Sequence, residues 1–286
     1  MFDLPTIWAG LLALSIFIYV ILDGFDLGIG LVFPFLKTDA DRDVAMNSVA
    51  PVWDGNETWL VLGGGGLLAA FPLAYAIVLP ALYAPLIAML LGLILRGVAF
   101  EFRWRDPKHQ ASWDFAFTLG SWVATFAQGI TLGALLQGIT VVDRAYAGGW
   151  WEWLTPFSLL TGAALLAGYA LLGSCWLIMK TEGSLQRQAY TYAGRTGVLL
   201  LLAIVAVSAA TPFLEARYYE RWLEYPNILA ASQVPLATTI VAFLFFRSLS
   251  KRKEVAPFLY ALGLFGFCLV GLGISIWPDV IPGRVS

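Results

Sequence analysis

The chain has 286 residues, 59% of them hydrophobic and only 13% charged, with a mean hydropathy of +0.77. A soluble domain of this length does not carry such a composition, and apolar runs this long imply membrane spans. A net charge of −2 without a basic patch argues against nucleic acid as a partner, and two distant cysteines form neither a disulfide framework nor a metal motif.

Eight apolar segments are near the length that crosses a bilayer, at roughly residues 7–36, 57–79, 80–102, 114–140, 155–179, 196–213, 228–247 and 256–277. The first has no basic n-region and runs on too far for a cleaved signal peptide, so it reads as a retained span that tilts or protrudes. Asp23-Gly24-Phe25-Asp26 interrupts it. The second segment opens on Val52-Trp53-Asp54-Gly55-Asn56-Glu57-Thr58-Trp59-Leu60-Val61 and runs into Gly63 to Gly66, glycines suited to close helix packing. A very short turn near Pro80 leads to the third, and Pro72 and Pro85 are expected to kink these helices. Arg96 and Glu101 close the third segment and read as a structural ion pair or an interfacial anchor. Gln128 and Gln137 in the fourth read as interhelical hydrogen-bond partners.

The loop at 141–153 marks a break between pseudo-halves 1–140 and 155–286 of a single membrane domain, 1–286. Its Trp150, Trp151 and Trp153 suit an interfacial aromatic belt. Cys175 and Cys268, in later spans, read as small apolar residues. The expected fold is an all-α integral membrane protein of about eight transmembrane helices arranged as two four-helix bundles.

Lysine and arginine set the orientation. Thirteen lie in or near the loops after the odd-numbered segments, against four (Arg144, Arg217, Arg221 and Arg284) on the opposite side. The N-terminus is therefore expected outside and the acidic pairs toward the cytoplasm. Ionisable residues at membrane depth are costly and mark function by default. Two readings stand for Asp54 and Glu57: a helix-capping pair, or proton access from the cytoplasm. Two also stand for Asp23 and Asp26, three residues apart on one side of the first helix: a buried structural pairing with arginine or backbone, or a proton route. Trp59 reads as interfacial or as lining the entry of a small molecule. His109, the sole histidine, falls in a charged loop, so no span offers an axial histidine to a haem, and no cluster suits copper or iron.

At these residues the chain resembles subunit II of the cytochrome bd quinol oxidases, including the cyanide-insensitive branch. The resemblance rests on Asp23 to Gly30, Asn47 to Trp59, Ala69 to Pro72, Arg96 to Arg103 and Gly168 to Gly183. It implies a heterodimeric respiratory terminal oxidase of the bacterial inner membrane that oxidises membrane quinol and reduces dioxygen to water. Haem b and haem d would be ligated by subunit I, the obligate partner, and none by this chain. It further implies that Asp23 and Asp54 belong to water-filled proton access and that Trp59 lies near an oxygen route. Some members also hold a structural quinone or small accessory subunits. The family carries one more apolar span after the segment matching Ile276 to Pro282, whereas this chain ends at Ser286; either a peripheral helix is lost or the chain is truncated. Residues alone leave two rivals: a stand-alone proton-coupled carrier, and a scaffold with no proton role.

Overall fold

The computed structural model describes residues 3–279 and Ile281. Arg284, used above for orientation, lies outside the described residues. Helix α1 spans Leu4–Val32, 29 residues. It opens where the Asp3 carboxylate accepts from the Thr6 amide at 3.1 Å, and a short 3₁₀ turn containing Pro34 ends it. Helix α2, Asp39–Asn47, is capped by Thr38, with Asp39 and Asp41 in its first turn, where carboxylates favour the helix dipole.

The second apolar segment becomes two helices, α3 (Trp53–Ala70) and α4 (Pro72–Ala81). Phe71 leaves helical geometry at φ −133° and ψ 63°, because Pro72 cannot continue the preceding hydrogen-bond ladder. The kink expected at Pro72 is thus a full break. Pro85 does not kink its helix: it lies in the first turn of α5 (Tyr83–Phe102), where a missing N–H costs nothing. Helix α6 covers Gln110–Leu136. A small hairpin follows, pairing β1 (Val141–Val142) with β2 (Ala145–Tyr146). Burial and the neighbouring Glu152 push the Tyr146 phenol up to about 12.

Helix α7 (Pro156–Lys180) starts at a Thr155–Ser158 capping box, and α8 (Gly183–Ala210) follows at once. Short helices α9 (Ala216–Leu223) and α10 (Asn227–Ala231) precede α11 (Gln233–Ser250) and α12 (Ala256–Ile276). Among the described residues, seven helical segments are long and apolar enough to cross a membrane. The segment that misses this standard is the second, broken at Phe71 and carrying Asp54 and Glu57 in its first half.

Along the chain the 141–153 loop separates one group, α1, α3–α4, α5 and α6, from another, α7, α8, α11 and α12, and α7 packs closely on α1 and α6 as well as on α8. One buried core runs through both, from Phe25 and Leu27 on α1 through Phe117 on α6 and Tyr169 on α7 to Phe258 and Leu264 on α12. Close approach joins the groups: a Cβ on Gly28 of α1 would overlap the α7 backbone at Tyr169 and Gly173. Gly63 and Gly66 of α3 face Ile16 and Leu12 of α1, but Gly64 and Gly65 face open space. A second, smaller core gathers Ala74, Ile77 and Leu82 beneath the hairpin.

Candidate functional site

A charged cluster sits where α1, α3 and α5 meet, inside the end that holds the C-termini of α1 and α5. Its centre is Arg96 of α5. The guanidinium donates to the Asp23 carboxylate at 2.8 Å and to the Glu57 carboxylate at 2.6 Å through the same Nη2. Arg96 and Asp23 have no exposed side-chain surface, whereas Glu57 keeps 25% of its own. One turn along α1, Asp26 is fully buried and accepts from the Asn56 amide at 2.7 Å; that amide also reaches the Leu22 carbonyl at 3.4 Å. Asp23 and Asp26 thus face α5 and α3, as their i, i+3 spacing allows. Removing one partner from such a set strands an uncompensated buried charge, which is the costly case for ion pairs in a low-dielectric interior.

Asp54 lies at the rim, exposed. It is not a cap. The helix begins after Val52 without a side-chain cap bond, and the Trp53 amide is already met by the Val49 carbonyl. Asp54 and Glu57 are therefore the second and fifth residues of α3, which rules out the capping box. Trp59 is half-buried on α3, its carbonyl accepting from the Ser15 hydroxyl at 3.1 Å.

The expected pairing of Arg96 with Glu101 does not form. Five residues on one helix lie about 140° apart, so the two side chains point to different faces. Glu101 instead meets Arg105, four residues on, at 3.2 Å on the exposed surface.

Several polar residues of the site carried no strong signal of their own. Tyr19, one turn before Asp23 on α1, accepts from the Gln128 amide at 2.7 Å; the Gln128 carbonyl oxygen accepts from the Tyr169 hydroxyl at 2.9 Å. This buried chain ties α1, α6 and α7 together. Gln137 likewise bridges helices, accepting from Thr155. The spacing Tyr19–Asp23–Asp26 does mark one polar stripe along α1, the signal by which Tyr19 was findable. A second cluster lies nearer the surface: Arg103, also buried, donates to Asp114 at 2.5 Å and to Asp43 at 2.7 Å. It fastens α2 and α6 to the end of α5.

His109 sits in the exposed loop before α6, its ring against Asp106 at 2.8 Å, and that hydrogen bond holds Asp106 below the usual carboxylate range. Among the described residues no group of three or more His, Cys, Asp or Glu side chains is placed to hold a metal ion. Cys175 is buried and Cys268 exposed on α12.

Comparison with known proteins identifies the family. The family model described as cytochrome bd terminal oxidase subunit II matches residues 4–286. The cytochrome bd-I ubiquinol oxidase subunit 2 of Escherichia coli K12 is 35% identical over 96% of this chain and 81% of its own. The probable cytochrome oxidase subunit 2 of Haemophilus influenzae is 33% identical over the same shares. The cytochrome bd ubiquinol oxidase subunit 2 of Bacillus subtilis is 29% identical over 98% of this chain and 82% of its own. A solved bd oxidase from Geobacillus thermodenitrificans has the same fold, with a TM-score of 0.83 at 17% identity, covering 99% of this chain and 87% of that one. Multiple apolar spans, a buried polar cluster between them and a family match over nearly the whole length converge: the chain belongs to the cytochrome bd terminal oxidase subunit II family, integral subunits of a respiratory quinol:oxygen oxidoreductase in the bacterial membrane.

Proposed function

We propose that this chain is the non-haem-ligating half of a heterodimeric quinol oxidase. It supports a haem-bearing subunit I and carries part of the route by which protons reach the site of dioxygen reduction. One observation carries the proton assignment: carboxylates are placed at successive depths from the exposed rim to the buried interior. Asp54 is exposed, Glu57 is partly exposed and bound to Arg96, and Arg96 is bound to the fully buried Asp23, with Asp26 and Asn56 alongside. The fixed guanidinium charge offsets the carboxylates, so a proton gained or lost at one of them leaves no large net charge in the interior. Asp23 Oδ2, Asp26 Oδ1 and Arg96 Nη1 are buried with no protein hydrogen-bond partner, a donor and acceptor set suited to internal water.

The excess of lysine and arginine at the Arg96 end favours placing it in the cytoplasm with the N-terminus outside; setting aside the internal Arg96 leaves the bias intact. Protons taken from the cytoplasm for water formation, with quinol protons released outside, would build a membrane potential without pumping. Haem b and haem d belong on subunit I in this reading, since the sole histidine here is committed to an exposed loop. Trp59 lies beside an exposed apolar face of α3, with Val61 at 73% and Leu62 at 51% exposure, a surface that suits both contact with the partner and passage of dioxygen. Small accessory subunits and a structural quinone rest on the resemblance alone.

The test uses the assembled complex. Asp23→Asn is expected to slow oxygen reduction, or the charge movement coupled to it, by about a hundredfold, the lower end of what a positioned proton-transfer group contributes. Asp54→Asn, at the rim, should slow it less. Undiminished activity in both variants would leave this chain as a scaffold only.

A further inference from the structure

Helices α8 and α11 carry exposed faces that change character at one level. On α8, Val198, Leu202 and Val205 are 50%, 63% and 67% exposed. The same face continues toward the Arg96 end as Arg195 and then Arg187, both exposed. On α11, Leu236, Ile240 and Phe243 are 56%, 52% and 65% exposed, and the face continues as Arg247 and Lys251, also exposed. Among the described residues none of these four cations is held in an ion pair.

Two measures place the arginines at the same depth. Gly197 of α8 lies against Phe245 and Phe246 of α11, and Arg195 and Arg247 each sit two residues toward the Arg96 end from that contact. Span length gives the same level. The hydrocarbon layer takes about 20 helical residues. Counted from the far ends of the segments Gly183–Phe213 and Asn227–Ser250, that length reaches the neighbourhood of Arg195 on one helix and Arg247 on the other. A guanidinium at the hydrocarbon edge, on a face that touches no other part of its chain, needs an anion at headgroup level.

We propose that Arg195 and Arg247, with Arg187 and Lys251 beyond them, hold anionic phospholipid headgroups against α8 and α11. The acyl chains would lie along the apolar stripes. The guanidinium fork suits a phosphodiester. An apolar stripe through the membrane core, turning basic where the phosphates lie, is the complement of a whole phospholipid. An acidic soluble protein would match the basic part alone.

The two-subunit complex, reconstituted in nanodiscs of phosphatidylcholine with added phosphatidylglycerol, provides the test, read by native mass spectrometry of retained lipid. Wild type should retain phosphatidylglycerol in preference to phosphatidylcholine. Arg195→Gln and Arg247→Gln should each weaken that retention about fivefold, the effect expected for one cation near an anionic surface. Arg195→Lys with Arg247→Lys should keep most of it. Lys37→Gln with Lys108→Gln, which neutralises exposed loop cations on the other half, should leave it unchanged. Equal retention of the two lipids by wild type, or undiminished phosphatidylglycerol on the glutamine variants, would overturn the proposal. Loss of a co-purifying acidic protein from those variants with lipid unchanged would overturn it too, in favour of a protein partner. If the glutamine variants do not assemble, Arg187→Gln with Lys251→Gln gives the same reading farther from the helix contact.

Discussion

The two groups of helices handle the same side chain in opposite ways at the same end of the molecule. In the first group, arginine is drawn inward and neutralised: Arg96 holds Asp23 and Glu57, and Arg103 holds Asp43 and Asp114. In the second group, Arg187, Arg195 and Arg247 stay on exposed faces without a carboxylate. The sequence around each explains the difference. Helices α1, α2, α3 and α6 bring acidic residues within reach, whereas α8 and α11 carry no acidic residue. A guanidinium becomes part of the interior only where the neighbouring helices supply its counter-charges. The first half therefore buries its arginines at this end, and the second leaves them on the rim.

The sharpest way to break this comparison is to remove the inner charge. Arg96→Gln leaves the fully buried Asp23 without its partner and is expected to cost about 3–5 kcal/mol, the range for splitting a buried pair. Thermal melting of the assembled complex measures it, and a loss below about 1 kcal/mol, the range of exposed pairs, would mean that the pair is not desolvated as described. Replacing Asp23 and Arg96 together by leucine should recover part of the loss, because the Asp23 charge leaves with its partner, Glu57 can turn to water and Asp26 keeps its Asn56 bond.

A smaller effect is expected one level nearer the surface. Arg103→Gln releases Asp43 and Asp114, and with them the tie between α2, α5 and α6. Hydrogen bonds to charged groups are worth about 1.5–3 kcal/mol each. Part of that should be regained because Asp43 keeps 40% of its side-chain surface in contact with solvent. The loss should be local: amide hydrogen exchange should speed up in Asp39–Asn47 and leave α7 unchanged. Equal protection of α2 in variant and wild type would show that Ala45 and Met46, both buried, hold the helix without Arg103.

How much of this was readable beforehand depended on the kind of interaction. Apolar run length placed seven of the eight expected segments as helices of membrane-spanning length, because satisfying backbone polar groups within each helix is a local demand. The acidic residues were visible for the same reason, as charge inside apolar sequence. Their partners were not. Asp23 and Arg96 are 73 residues apart, and Tyr19 and Gln128 are 109 apart, so only the packing of α1 against α5 and α6 decides them. Reading Arg96 and Glu101 as a pair took closeness in sequence for closeness in space. Pro72 marked a disturbance at Phe71, since the residue before a proline is biased away from helical geometry; whether the helix would kink or break there was not legible.

The smallest expected effect tests that misreading directly. A double-mutant cycle on Glu101, near the end of α5, and Arg105, in the turn that follows, should give a coupling of about 0.2–1 kcal/mol, the range of exposed ion pairs. The residues are 56% and 72% exposed, so most of their attraction is screened, and added salt should erase it. A second cycle on Glu101 and Arg96 should give no coupling, because the side chains leave the helix on different faces and Arg96 points inward to two other carboxylates. A third, on Glu57 and Arg96, should exceed the first and resist salt, since one partner is wholly enclosed. Coupling between Glu101 and Arg96 as large as that between Glu57 and Arg96 would mean that α5 is rotated from the orientation described, and the inward channelling of charge in the first half would fail with it.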